Sequence, residues 1–214
     1  MRWSALILAL AATALLGATG ASAQSDPPAD PPAADYPIAV DLPAGTYQLD
    51  PRHASVLFRI QHGGLAWFTA RFDTKAATLT LNPEDPTQSQ FNASVDATSV
   101  NTGILNNQGE RSFDQSIGRA LGGGPITFTA TTIERTGQNT ARITGDLALN
   151  GQTHPATLDA TFEGSGRDIL RGGNMVLGFS ALGTIDRTEW GVNDWRAFTG
   201  KDVQIVIEAE FVRS

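Results

Sequence analysis

Apolar residues recur at every second position along most of the chain, the period of strands with one buried face and one wet face. Val56, Phe58 and Ile60 alternate with Leu57, Arg59 and Gln61. Ala77, Leu79 and Leu81 oppose Thr78 and Thr80, and Phe91, Ala93 and Val95 oppose Asn92, Ser94 and Asp96. Further runs place Ile126, Phe128 and Ala130 on one face, then Ile143, Gly145, Leu147 and Leu149. Asn150 and Gly151 follow, the dipeptide of a two-residue hairpin turn, so Leu158, Ala160 and Phe162 form the return strand. Met175, Leu177, Phe179 and Ala181 come after a glycine-rich loop; Val203, Ile205, Ile207, Ala209 and Phe211 share one face of the last run. About eight short strands with one wet face each predict an all-β domain, either a sandwich or a closed antiparallel barrel. No run is apolar on both faces, and closure removes unpaired edges, which favours the barrel.

The alternation fails between residues 98 and 125. Asn107 to Leu121 predicts a short helix with Phe113, Ile117 and Leu121 on one side, ended by Gly122, Gly123 and Gly124. On a barrel such a helix either plugs the core or forms a lid over an apolar cavity; the pattern leaves both open.

The first 45 residues break the pattern in another way. Arg2, the apolar run Ala5 to Gly17 and the small residues Ala21, Ser22 and Ala23 read as a signal peptide cleaved after Ala23. Residues 24–45 hold six of the eleven prolines and read as an extended flexible linker, leaving 46–214 as the folded domain. With no cysteine, neither a disulfide framework nor a lipid-bearing cysteine is available, and a soluble periplasmic or secreted product is expected. The formal charge of -7 becomes -8 once Arg2 is removed, with 14 basic against 22 acidic residues, which argues against nucleic acid as a partner. Beyond the signal no apolar run reaches transmembrane length, so no membrane insertion is expected.

Candidate chemistry is sparse. His53, His62 and His154 have neither an i, i+4 partner nor a nearby cysteine and do not assemble a metal site. Ser180 lacks the spacing of a nucleophile elbow, and Gly200 and Lys201 have no upstream glycine loop for phosphate. Asp186, Glu189, Asn193 and Asp194 lie close to Arg187 and Arg196, but their spacing fits no EF-hand, and ion pairs in a solvated turn are the better reading. No acid, base and nucleophile set emerges, so neither catalysis nor a cofactor is expected. Aromatic residues remain, with Trp67, Phe68, Phe72, Phe113, Phe128, Phe179, Trp190, Trp195 and Phe198 available for a cavity wall, a mouth or plain packing.

Four segments in order carry a resemblance: YQLDPRHASVLFRIQHGG at Tyr47, SVNTG followed by a stretch with Phe113 and Asp114, ITGDLALNGQTHPATLDATFEG, and GFSALGTIDRTEWGV, where Arg187 precedes the pair Trp190 and Gly191. From about Gly45 to Arg213 the chain resembles the YceI-like proteins, the polyisoprenoid-binding, lipocalin-like barrels exported by many bacteria. Two departures are Ala120 to Pro125, where a tyrosine-proline pair is usual, and Ala70, where glycine is usual. The resemblance implies a lipocalin-like barrel that holds an isoprenoid quinone, a polyprenyl lipid or a related long amphiphile, for transport, storage or shielding. Mapped onto this chain, it implies a tunnel lined by Phe58, Ile60, Phe72, Ile117, Phe128, Phe179 and Ile205, with Trp67, Phe113 and Trp190 nearer the mouth. It also admits a homodimer and, by family analogy alone, a membrane cytochrome as partner. The competing expectation is a structural or protein-interaction barrel whose own side chains fill the core.

Overall fold

The computed structural model describes residues 42–214; the segment expected to be a signal peptide, and residues 24–41 of the expected linker, lie outside the described residues. Ten antiparallel strand segments form one sheet that closes on itself. These are β1 (Gly45–His62), β2 (Ala66–Phe72), β3 (Lys75–Leu81), β4 (Gln90–Asp96), β5 (Val100–Asn101), β6 (Pro125–Arg135), β7 (Thr140–Leu149), β8 (Gln152–Asp168), β9 (Asn174–Asp186) and β10 (Thr199–Arg213). Neighbours follow the order β10-β9-β8-β7-β6-β4-β3-β1-β2-β5, and β10 pairs with β1 to close the ring.

The barrel has eight staves because two of them are broken. β2 and β3 both pair with one edge of β1, β2 with its second half and β3 with its start, so they form one return path interrupted at Asp73 and Thr74. Likewise β4 pairs with β3 and β5 with β2, across a 3-10 turn at Ala97–Ser99. The barrel expected from the periodicity is therefore the fold observed.

Register explains which residues face inward. Phe58 lies opposite Ile205, Val56 opposite Ile207 and Ile60 opposite Val203, which puts the apolar sets of β1 and β10 on one face. Between Leu49 and Ala54 the register slips against Phe211 and Ala209, so that Asp50, Pro51, Arg52 and His53 bulge outward. The bulge accommodates Pro51, which cannot donate to the ladder, and it changes parity, so Tyr47 and Leu49 face inward at odd positions before Ala54, Val56 and Phe58 do at even ones. The turn between β7 and β8 is the predicted one: Asn150 has φ 51° and Gly151 φ 72°, the left-handed pair such a hairpin requires.

The helix α1 (Ser112–Ala120) is shorter than the periodicity predicts. The Asn106 side chain accepts from the backbone N–H groups of Gln108 and Glu110, which holds the preceding residues in a turn and competes with helix. Ile117 then packs with Ala70, Phe72 and Val100, seating α1 against one end of the barrel. The end carrying α1, the β1–β2 turn, the β7–β8 turn and the β9–β10 connection is here termed the helical end. At the opposite end Leu42 packs against a cluster of Tyr47, Leu79, Leu177 and Phe211, and the Tyr47 hydroxyl donates to the Pro43 carbonyl at 2.6 Å. The last residues before Gly45 are thus tied to the barrel. Among the described residues no helix is long and apolar enough to cross a membrane.

Candidate functional site

The barrel interior is only partly filled. A cavity of about 1020 Å³ runs from Leu42 and Pro86 at one end to Phe113, Trp195 and Phe198 at the helical end, and its wall is overwhelmingly aliphatic and aromatic. Aligned inward positions build it: Phe58 and Ile60 from β1, Phe91 from β4, Phe128 from β6, Leu158 and Phe162 from β8, Phe179 and Ala181 from β9, Ile205 and Ile207 from β10. Glycines make room for two of these side chains. A Cβ on Gly145 would meet the Phe128 ring at 2.6 Å, and one on Gly183 would meet Leu158 Cδ2 at 2.7 Å.

Two chains of aromatic rings run along the wall. One links Phe162, Phe179, Phe211, Phe91 and Phe128 at centroid spacings of 5.3, 5.9, 6.2 and 6.2 Å. The other passes from Phe72 to Phe58 (5.7 Å), Phe68 (6.5 Å), Phe113 (5.9 Å) and Trp195 (6.0 Å), leading from the interior to the surface. Ile104, Phe113, Trp195 and Phe198 both line the cavity and stand exposed, which identifies an apolar opening at the helical end.

Of the ten residues expected along the tunnel or at its mouth, eight line this cavity: Phe58, Ile60, Phe72, Phe113, Ile117, Phe128, Phe179 and Ile205. Trp67 and Trp190 do not. Trp67 pairs with Gln61, whereas its neighbour Phe68 pairs with the inward Ile60, so strand alternation turns Trp67 outward beneath the Arg59 guanidinium, 5.1 Å from the ring centroid. Trp190, 1 % exposed, packs behind the wall: its indole N–H donates to the Leu147 carbonyl at 2.9 Å and its ring meets His154 edge-on at 5.2 Å. Its N–H partner lies on a strand 43 residues away, a pairing no local pattern reveals. Phe91, Phe162 and Phe211 were absent from the expected set, although their alternating runs carried the signal.

Polar groups fix the helical end. Asp114 is buried; its carboxylate accepts from the Thr102 backbone N–H (3.1 Å), the Thr102 hydroxyl (2.5 Å) and Arg111 Nε (2.6 Å). Burial opposes its ionisation, but these hydrogen bonds together with Arg111 outweigh it and hold the pKa below the ordinary carboxylate value. The expectation of ion pairs in a solvated turn fails for Arg187, which is buried and donates to the carbonyls of Val192 (2.7 Å), Asp194 (2.8 Å) and Gly200 (3.0 Å). Asp186 pairs with Lys201 instead, at 2.8 Å. At the opposite end Arg171 bridges Asp50 (2.8 Å), Glu210 (2.9 Å) and Asp168 (3.2 Å), joining the β8–β9 turn to the β1 bulge, where His53 also lies.

Comparison with known proteins places this architecture. Solved structures of similar fold include Burkholderia cenocepacia BcnA (TM-score 0.64, 18% identity, covering 76% of this chain and 98% of that one). Another is a polyisoprenoid binding domain from Saccharophagus degradans implicated in plant cell wall breakdown (TM-score 0.55, 13% identity, 80% and 100% covered). In sequence, Protein YceI of Escherichia coli O157:H7 is 33% identical over 175 residues, covering 79% of this chain and 88% of that protein. The model of the YceI-like domain matches residues 47–211, from the first inward tyrosine of β1 to the last inward phenylalanine of β10. With the barrel, its unfilled apolar interior and these matches in agreement, the chain belongs to the YceI-like family.

Proposed function

We propose that this protein is an exported binding protein that holds a long isoprenoid amphiphile, such as a prenylated quinone or polyprenyl lipid, inside its barrel and shields it from water. The unfilled cavity carries this reading: Phe58, Phe179, Ile205 and Ile207 point inward yet are only partly buried, and together they present apolar surface that no side chain of the barrel covers. A self-filled core would leave no such volume. The Saccharophagus domain, described as polyisoprenoid-binding, adds support for the ligand class, and the signal-like first 23 residues support export to the periplasm.

Energetics fit firm retention of such a chain. At about 0.8 kcal/mol per buried CH₂, part of a prenyl chain suffices for firm retention, while simple addition over a full chain would pass the usual ceiling of non-covalent affinity. An aliphatic and aromatic wall gives binding and no chemistry, which supports a binding protein over an enzyme.

The test is to purify the mature protein from its native host, extract it with organic solvent and identify the extract by mass spectrometry. A prenyl lipid near one equivalent per barrel is expected. Folded protein that yields no lipid and takes up none from prenyl-lipid micelles would return the barrel to a structural role.

A further inference from the structure

Down the cavity face of β9 the inward positions Leu177, Phe179, Ala181, Gly183 and Ile185 are followed, at the same spacing of two, by Arg187, which lines the cavity at its helical end. A guanidinium is an unusual terminus for an apolar wall. It has five N–H groups, and four of them are engaged: Nε with Gly200 O, both of Nη1 with Val192 O and Asp194 O, and one of Nη2 with Thr199 Oγ1 at 3.0 Å. The second N–H of Nη2 has no hydrogen-bond partner among the described residues. Nor does any carboxylate there lie within 4.0 Å of the guanidinium.

Bracing the β9–β10 connection explains the four bonds that are made. It does not explain a buried charge without an ion-pair partner, which is costly in a low-dielectric site. Burial lowers the pKa of Arg187, while the more distant charges of Asp194 and Asp186 raise it. Those two carboxylates also bear on what the site accepts. A multiply charged phosphate would be repelled by them, whereas a neutral oxygen acceptor can take the spare N–H without adding negative charge. Trp195 and Phe198, cavity-lining residues of the same connection, supply flat apolar surface for a ring.

We propose that Arg187 forms the head-group subsite of the cavity, donating from Nη2 to a carbonyl oxygen of a neutral ring-headed prenyl ligand whose tail extends past Phe179 towards Phe211. The assignment rests on the prenyl-carrier reading above, and it gives that ligand a direction, head at the helical end and tail away from it.

The experiment uses the mature protein freed of bound lipid and two probes with the same prenyl chain, one on a benzoquinone and one on benzene, compared by calorimetric titration. Wild-type protein is expected to prefer the quinone by about tenfold or more, the contribution of one hydrogen bond from a charged donor. R187Q should lose the preference while still binding the benzene probe, which shows that the barrel is intact. Equal affinities for wild type, or a preference that survives in R187Q, would overturn the subsite. Failure of both probes to bind wild-type protein would instead overturn the carrier reading, and the subsite with it. If R187Q does not fold, the infrared carbonyl stretch of quinone bound to wild-type protein decides: a shift below its frequency in hydrocarbon supports the hydrogen bond, and an unshifted stretch refutes it.

Discussion

Gly145 and Phe128 share a single space, since the ring lies where a Cβ on residue 145 would stand, with the Thr129 carbonyl at 2.5 Å from the same point. Neither backbone nor ring can give way cheaply in a closed sheet. G145A should therefore destabilise the protein by about 1–3 kcal/mol through overpacking, measured as a lower urea midpoint at unchanged m-value. Trp190 separates packing from binding. W190F removes the donor to the Leu147 carbonyl, and a loss of about 1–3 kcal/mol is expected with lipid retention unchanged, because the ring lies off the cavity wall. Asp50 provides a pH test. Its hydrogen bond with His53, joined by Arg52 and Arg171 against the cost of burial, lowers its pKa to about 2. A carboxyl depressed in the folded state stabilises fully above its unfolded value of about 3.9, and that contribution is lost as pH falls through about 2. Between pH 5 and 2 the urea midpoint of wild-type protein should fall more steeply than that of D50N.

At the level of elements, α1 is held less by its own propensity than by two anchors, Ile117 in the cluster with Ala70, Phe72 and Val100, and Asp114 on Thr102. With nine residues it is too short to be stable alone. D114A leaves the Thr102 backbone donor without its acceptor and should cost at least about 2 kcal/mol. Its further consequence should be local: amide hydrogen exchange over residues 112–120 rises, while the β7–β8 hairpin remains protected. The inward faces of the strands were legible in the sequence because a period of two survives any register. The β1 bulge was not, since the role of Asp50 and Pro51 depends on Glu210 and Arg171, which lie far along the chain. The start of α1 was misplaced for a comparable reason, the Asn106 side chain having captured the backbone N–H groups of the following turn.

For the whole molecule, the empty volume is the main consequence of closure. Eight staves of alternating residues enclose more space than their side chains fill. A ligand that binds only the folded barrel must stabilise it, by about 2.7 kcal/mol at one hundred times its Kd. Thermal unfolding with saturating prenyl lipid should accordingly show a clearly higher Tm than the lipid-free protein, and F179D, which places a carboxylate on the wall, should abolish that increase while remaining folded by circular dichroism.

The alternation of apolar and polar residues by itself determined the all-β class, the inward faces of the main strand runs and the Asn150–Gly151 turn, because these depend on local stereochemistry and on the two-residue period of a strand. Tertiary structure alone decided where the tryptophans and Arg187 stand relative to the cavity. Trp67 and Phe68 are adjacent in sequence and lie on opposite faces once β2 pairs with β1, and Trp190 is fixed behind the wall through a carbonyl on β7. The same holds for Arg187, which read as one charge in a polar turn until the inward face of β9 and the folded-back β9–β10 connection placed it at the end of an apolar wall. Burial and hydrogen bonding between distant segments are properties of the closed barrel, and no local pattern encodes them.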